Sequence, residues 1–158
     1  MRAMNIFEQA HVVNGVPAIN ITGGKASDVV SLKDARGFNA IWSIGVSAAA
    51  ATKILVYACD NFAGDNPVAI PFRLYKEETA LGDTLDGGTE ITAAGYTPSA
   101  NDNIMYGIYV DAQALASLGK ECIYTQVTNG TNSVIASCLI ILTGIGYNGA
   151  GTGKSAIA

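Results

Sequence analysis

Short apolar runs set off by clusters of Gly, Asn, Asp, Pro and Ser recur along most of the chain. That punctuation is the signature of an antiparallel sandwich or barrel, not of helices. The clearest case is Phe38 to Val46, where Phe38, Ala40, Trp42 and Ile44 fall on one face and Asn39, Ile41 and Ser43 on the other. A strand with that alternation packs one face into a core. Lys53 to Asp60 and Ile104 to Val110 are similarly strong, the first apolar over most of its length. Weaker strands are predicted at Ala10–Val13, at Ala18–Thr22 beyond a Gly-Val-Pro break, at Asp28–Leu32 and at Thr89–Ala93. Val68 to Tyr75 also qualifies, although Pro71 inside it implies a sheet edge or a bulge. Asp111 is placed to cap a single helical turn over Ala112–Leu115. Glu121–Val127 and Ser133–Thr143 read as a hairpin pair, with Asn129-Gly130 supplying the positive φ of a tight turn. These elements predict an all-β, jelly-roll-like antiparallel sandwich of about eight strands. It forms a single domain over residues 1–143, with an N-terminal arm at 1–9 and a Gly-rich, flexible tail at 144–158.

Composition changes the picture in one respect. The chain has 158 residues, 49% of them hydrophobic, which is ample for one core. Only 14% are charged, with a net charge of −4, against about a quarter in an ordinary soluble domain. So few cations exclude nucleic-acid binding through a basic face, and so much apolar material excludes a disordered chain. The question left is what covers the surface, because monomers normally stay soluble behind mixed charges. Part of this surface is expected to be covered by other copies or by a partner. The first residues carry no apolar secretory core, and Val134–Leu142 is far short of the ~20 residues that span a bilayer. No membrane association is expected, and synthesis is expected in the cytoplasm.

No catalytic signature stands out. His11 is the only histidine and has no strained nucleophile elbow to serve. Gly149-Ala150-Gly151-Thr152-Gly153-Lys154-Ser155 looks like a phosphate-binding loop, but Asn148 stands where the first glycine belongs. Only Ala156, Ile157 and Ala158 follow it, too few for the helix that such a loop opens. Asp60, Asn61, Asp65 and Asn66 could offer oxygens to Ca²⁺, but they lack EF-hand spacing and are ordinary turn formers. The adjacent Glu77 and Glu78 would point to opposite faces of a strand and read as a solvated strand end. Cys59, Cys122 and Cys138 are odd in number and lack CxxC spacing, which leaves small buried residues or one thiol at a subunit contact. The aromatic residues, among them Trp42, Tyr57, Tyr75, Tyr106, Tyr109 and Tyr124, are read as core and inter-subunit packing. A sugar-stacking platform is the alternative. No enzyme activity, cofactor or metal is expected.

Several stretches carry a resemblance. Gly45-Val46-Ser47-Ala48-Ala49-Ala50-Ala51-Thr52-Lys53-Ile54-Leu55-Val56 runs into Ala58-Cys59-Asp60-Asn61, and Glu77-Glu78-Thr79-Ala80 is followed by Gly82-Asp83-Thr84-Leu85. Thr97 to Asn103 and Thr128 to Ser137 complete the set. From about Gln9 to Leu142 the chain resembles small head proteins of tailed bacteriophages and prophages. The resemblance implies a non-enzymatic virion component on the capsid exterior, a decoration or cement subunit that binds the major capsid protein. It also implies a β-rich homotrimer sitting where capsomers meet, with no direct contact to nucleic acid. The chain ends are the expected contact elements, with Ile6, Phe7, Ile145 and Tyr147 as candidate residues. The rival reading is a carbohydrate-binding module of a phage surface or tail.

Overall fold

A computed structural model describes residues 5–47, 53–78 and 85–145. Two antiparallel sheets face each other across a shared core. The strands are β1 (His11–Asn20), β2 (Lys25–Ala26), β3 (Val30–Ser31), β4 (Gly37–Ser47), β5 (Lys53–Cys59), β6 (Val68–Ala69), β7 (Phe72–Glu77), β8 (Thr89–Ile91), β9 (Ile104–Asp111), β10 (Cys122–Thr128) and β11 (Val134–Thr143). One sheet has the order β1-β11-β4-β9-β7-β8. The other runs β2-β10-β5-β6, with β3 also paired to β10. Two short helices, α1 (Ile6–Gln9) and α2 (Ala112–Ala116), complete the described elements. The expected sandwich is present, with more strands than expected: β2 is a two-residue piece too short to leave a periodic signal, and the single strand expected over Val68–Tyr75 is divided into β6 and β7.

The core follows the alternation in the sequence. Phe38, Ala40, Trp42 and Ile44 of β4 are buried, and so are Ile104, Tyr106, Ile108 and Val110 of β9. From the opposite sheet come Ile54, Val56 and Ala58 of β5, with Ile123 and Val127 of β10. One buried polar contact joins the two layers. Trp42 Nε1 donates to Thr125 Oγ1 at 3.1 Å, and that hydroxyl donates onward to the Leu55 carbonyl at 3.0 Å. Burying an indole N–H without such an acceptor is costly, so this contact fixes how the sheets face each other.

Three expectations are corrected. The Gly-Val-Pro break does not interrupt a strand. β1 runs through Gly15, Val16 and Pro17 on β11, with register shifts at Asn14/Val16 and Val16/Ile19 that accommodate the irregularity. Pro71 does not lie within one strand: β6 before it is the edge strand of the smaller sheet, as expected, but β7 after it is interior to the larger one. After Ile70, whose N–H bonds the Val56 carbonyl, the chain leaves the β5 sheet and enters β7 of the other layer. Finally, β10 and β11 are not a hairpin. They lie in different sheets, and neither Asn129 nor Gly130 has a positive φ. The Asn-Gly pair sits in a crossing between layers, where Asn129 Nδ2 donates to the carbonyls of Asn132 and Ile21. A tight turn's composition therefore served a different path.

α2 begins as expected, with Asp111 Oδ1 accepting from Gln113 N at 2.8 Å, and Leu115 as its buried residue. The helix α1 was not foreseen. Asn5 caps it by accepting from Phe7 N, and it lies in the expected N-terminal arm.

Candidate interaction surface

The outer face of the six-stranded sheet answers the question raised by the low charge. Register places Leu139 of β11, Ile41 of β4, Gly107 of β9 and Tyr75 of β7 in one row across it. The next row holds Ile141, Asn39, Tyr109 and Arg73, and the row on the other side holds Ser137, Ser43, Met105 and Glu77. Ile135 extends the apolar set along β11. Over the three central strands the outward positions carry one charge, Asp111, and it is spent at the strand end capping α2. Charges resume at β7, with Arg73 and Glu77.

Small residues let the aromatics lie flat on this face. A Cβ on Gly107 would stand 3.5 Å from the Tyr75 side chain, and one on Gly37 would stand 3.1 Å from the Tyr109 ring. Each tyrosine therefore covers a glycine in place of projecting into solvent. Asn39 is held by donating to the Ile141 carbonyl and to Thr143 Oγ1. Leu139 and Ile135 remain 39% and 44% exposed. The result is a nearly uncharged surface over three strands, which is how the face of an association interface differs from an ordinary exterior.

Strand edges offer less. β8 ends one side of this sheet after three residues, and β1 ends the other with two irregularities and Pro17. Edges so shortened or bulged discourage edge-to-edge pairing.

The sequence-expected contact residues come partly together. β1 starts where β11 finishes, His11 opposite Leu142, so α1 and Ile145 lie toward the same end of the sheet. Phe7 is 82% exposed on α1, while Ile6 is half-buried. Ile145 packs against the core and does not project from it. Tyr147 and the phosphate-loop-like stretch lie outside the described residues.

The other candidate chemistries resolve into structure. Asn61 Oδ1 accepts from the N–H groups of Ala63 and Asp65, and Asn66 Nδ2 donates to Asp60. Lys120 Nζ meets Asp60 Oδ1 at 2.6 Å, and these hydrogen bonds from Lys120 and Asn66 hold the Asp60 carboxyl below its ordinary range. The oxygens once considered for a cation are engaged in shaping the loop. His11 is half-buried at the start of β1. Among the described residues no group of three or more His, Cys, Asp or Glu could hold a metal ion. Tyr57 and Tyr124 stack on each other, with ring centroids 5.2 Å apart and planes at 20°. Each thus covers one ring face that a sugar platform would leave open.

Glu78 corrects the reading of a solvated strand end. Its Oε1 accepts from the hydroxyls of Tyr96 at 2.7 Å and Tyr106 at 2.8 Å, and its Oε2 lies 3.1 Å from Lys76 Nζ. Burial pushes its carboxyl up, but these hydrogen bonds outweigh burial and hold it below the usual glutamate value. Tyr96 is itself bonded in both directions to Ile54 of β5, so the clasp ties the end of β7 to the other sheet. A sequence signal for it exists: Tyr106 occupies an inward position in an otherwise apolar alternation, and a buried phenol needs a partner.

No family model and no curated protein sequence matches the chain. Among solved structures, the SPBc2 prophage-derived protein YomS is similar at a TM-score of 0.43 and 16% identity, over 84% of this chain and 92% of that chain. A likeness this distant assigns no role.

Proposed function

We propose that this chain is a non-enzymatic structural subunit of a tailed-bacteriophage particle, a decoration or cement protein that binds the major capsid protein on the shell exterior as a homotrimer. The observation that carries the reading is the outer face of β11, β4 and β9, apolar at Leu139, Ile41, Ile135 and Met105 and free of charge until the strand ends. The resemblance of the sequence to phage head proteins supplies the identity of the partner. A shell built of many identical sites suits such a subunit, because a ligand that binds only the assembled state stabilises it by RT ln(1 + [L]/Kd) at each site. The apolar face contributes about 25 cal/mol per Å² of area removed from water, before the costs of association. Exposed Phe7 on α1 adds an anchor near one end of the sheet.

The test is a paired one. Light scattering after size exclusion should give a trimer for the parent chain and a monomer, or a weakened trimer, for Leu139→Asp and Ile135→Asp. Cryo-electron microscopy of the phage that carries the chain should show it on the shell. A parent chain that stays monomeric at tens of micromolar and leaves no density on the head overturns the reading. Saturable glycan binding by that monomer would favour the carbohydrate module in its place.

A further inference from the structure

Two of the three cysteines face each other. Cys59 and Cys122 are register partners of β5 and β10, and both are buried yet stand outside the core cluster. Their chain neighbours Ala58 and Ile123 point into the core, so the two thiols share the outer face of the smaller sheet. The class of the pair follows from the backbone. Thr125 spends its N–H and carbonyl on Ser27, and Val56 gives its carbonyl to Ile70, each on the side away from the β5–β10 seam. The alternate residues, Cys122 and Cys59 among them, therefore bond across the seam, and Cα atoms in such a pair stand about 5.5 Å apart. Disulfides favour Cα separations of about 5.5–6 Å, but their Cβ atoms stand about 3.5–4.5 Å apart, closer than the roughly 5.5 Å of a hydrogen-bonded pair, so closure draws the two strands together and leaves a strained, easily reduced bond.

Of the two, Cys122 alone borders open space. Cys59 Sγ donates to the Asn61 carbonyl, and Cys122 lines a cleft of about 400 Å³ roofed in part by Phe62. Asp34, Asp60 and Glu121 line that cleft with Lys33, and since Lys120 pairs with Asp60 at 2.6 Å the wall keeps a single carboxylate in excess. Burial, then the neighbouring Cys122 and Asp60, pushes the Cys59 thiol up to about 11, and burial, then Glu121, raises the Cys122 thiol as well, so both are slow to ionise and access through the cleft decides which reacts first.

We propose that Cys59 and Cys122 are a redox-active pair, closed to an intrachain disulfide by small cationic disulfides that enter through this acidic cleft. Cys122 lies at the cleft wall and reacts first. Its thiolate, having released its proton to water, attacks one sulfur of the reagent and expels half of it as a thiolate, leaving a mixed disulfide. Cys59 then loses its proton and attacks the Cys122 sulfur, expelling the second half. Two protein thiols are oxidised to one disulfide, and one reagent disulfide is reduced to two thiols that take up the two protons. Cys138 takes no part, being in the core of the other sheet.

The folded protein is treated with cystamine or with oxidised glutathione, and intact mass and fragment spectra are followed in time. Cystamine should remove two hydrogens from the chain and leave no adduct, with the bond mapped to Cys59–Cys122. It should act several-fold faster than the anionic glutathione reagent, and the gap should vanish in urea. Cys138→Ser should react like the parent, and Cys59→Ser should stop at a stable cysteamine adduct on Cys122. A parent chain that remains a dithiol, keeps adducts without the cross-link, links through Cys138 or between chains, or reacts equally with both reagents overturns the proposal.

Discussion

Replacing Thr125 with valine tests whether the bond between the sheets carries the weight assigned to it. Both Thr125 and Trp42 are fully buried, and the valine side chain fills nearly the same space, so the change removes polar contacts without opening a void. Two bonds go. Trp42 Nε1 loses its acceptor at 3.1 Å, leaving a buried donor unsatisfied at about 1–3 kcal/mol. The Leu55 carbonyl loses the hydroxyl at 3.0 Å but faces β10 across the ladder, so its loss is nearer the ordinary net value of about 0.5–1 kcal/mol. The expected total is about 1.5–4 kcal/mol, or a melting point lower by about 3–16 °C in a chain of this size. Urea titration followed by far-ultraviolet circular dichroism measures it, with an unchanged slope showing that the unfolding reaction is the same. A double-mutant cycle with Trp42→Phe isolates the pair. Once the indole N–H is gone its acceptor has nothing to satisfy, so the double variant should be more stable than the summed losses imply by about 1 kcal/mol or more. A Thr125→Val chain within about 0.5 kcal/mol of the parent, or strict additivity in the cycle, would falsify the argument.

Other consequences are equally measurable. Because the Glu78 carboxyl is held below its unfolded value, the clasp contributes stability that is complete above the ordinary glutamate range and is lost as pH falls through the folded value. Glu78→Gln should cost about 1–2 kcal/mol at neutral pH and flatten the acid limb of a stability-against-pH curve, and an unaltered acid limb would count against the clasp. At the other extreme, burial first and then Glu78 raise the Tyr106 phenol, while its bond from Ser99 lowers it, so stability should begin to fall above about pH 10, where the unfolded tyrosine ionises and the buried one does not. Gly95 has φ +81° and an added Cβ would stand 2.6 Å from the Ile54 carbonyl, so Gly95→Ala should cost more than about 2 kcal/mol in a denaturant titration. Gly130→Ala meets nothing within 4 Å and should change stability by no more than about 0.5 kcal/mol. A loss at Gly130 as large as that at Gly95 would point to a positive φ there and count against the backbone path described for the crossing.

What the sequence could show depended on range. Alternation is local, so Phe38 to Ile44 and Ile104 to Val110 declared their buried faces without any knowledge of partners. Sheet membership is not local. Nothing within Glu121–Thr143 says that β10 and β11 belong to different layers, because Asn-Gly serves a tight turn and a crossing alike. Pro71 shows the same ambiguity: a residue without an N–H suits an edge, a bulge or a change of sheet, and only the pairing of β6 with β5 and β7 with β9 selects the last. Glu78 was misread because its partners Tyr96 and Tyr106 are distant in sequence and their hydroxyls converge only after both sheets form. The apolar outer face was half legible. Ile41 could be assigned opposite Trp42 from alternation alone, but the rows that join it to Leu139 and Met105 exist only in register.

Register is also what turns a deficit of charge into a location. Fourteen per cent charge spread evenly would leave a sparse exterior everywhere, with no preferred contact. Here the charges gather on β7, at strand ends and in loops, as with Arg73, Asp111, Asp60 and Lys120, while the three central strands of the larger sheet keep none along their outward rows. Gly37 and Gly107 sharpen the effect, since flattening Tyr109 and Tyr75 against the sheet removes the relief that would keep a second flat surface at a distance. A charge introduced at Leu139, whose side chain is already 39% exposed, should therefore leave the fold within about 1 kcal/mol of the parent while abolishing association. Separating those two effects in one variant is the sharpest measure of whether the face is shaped for a partner. Loss of folding and association together would place Leu139 in the stabilising machinery of the subunit instead.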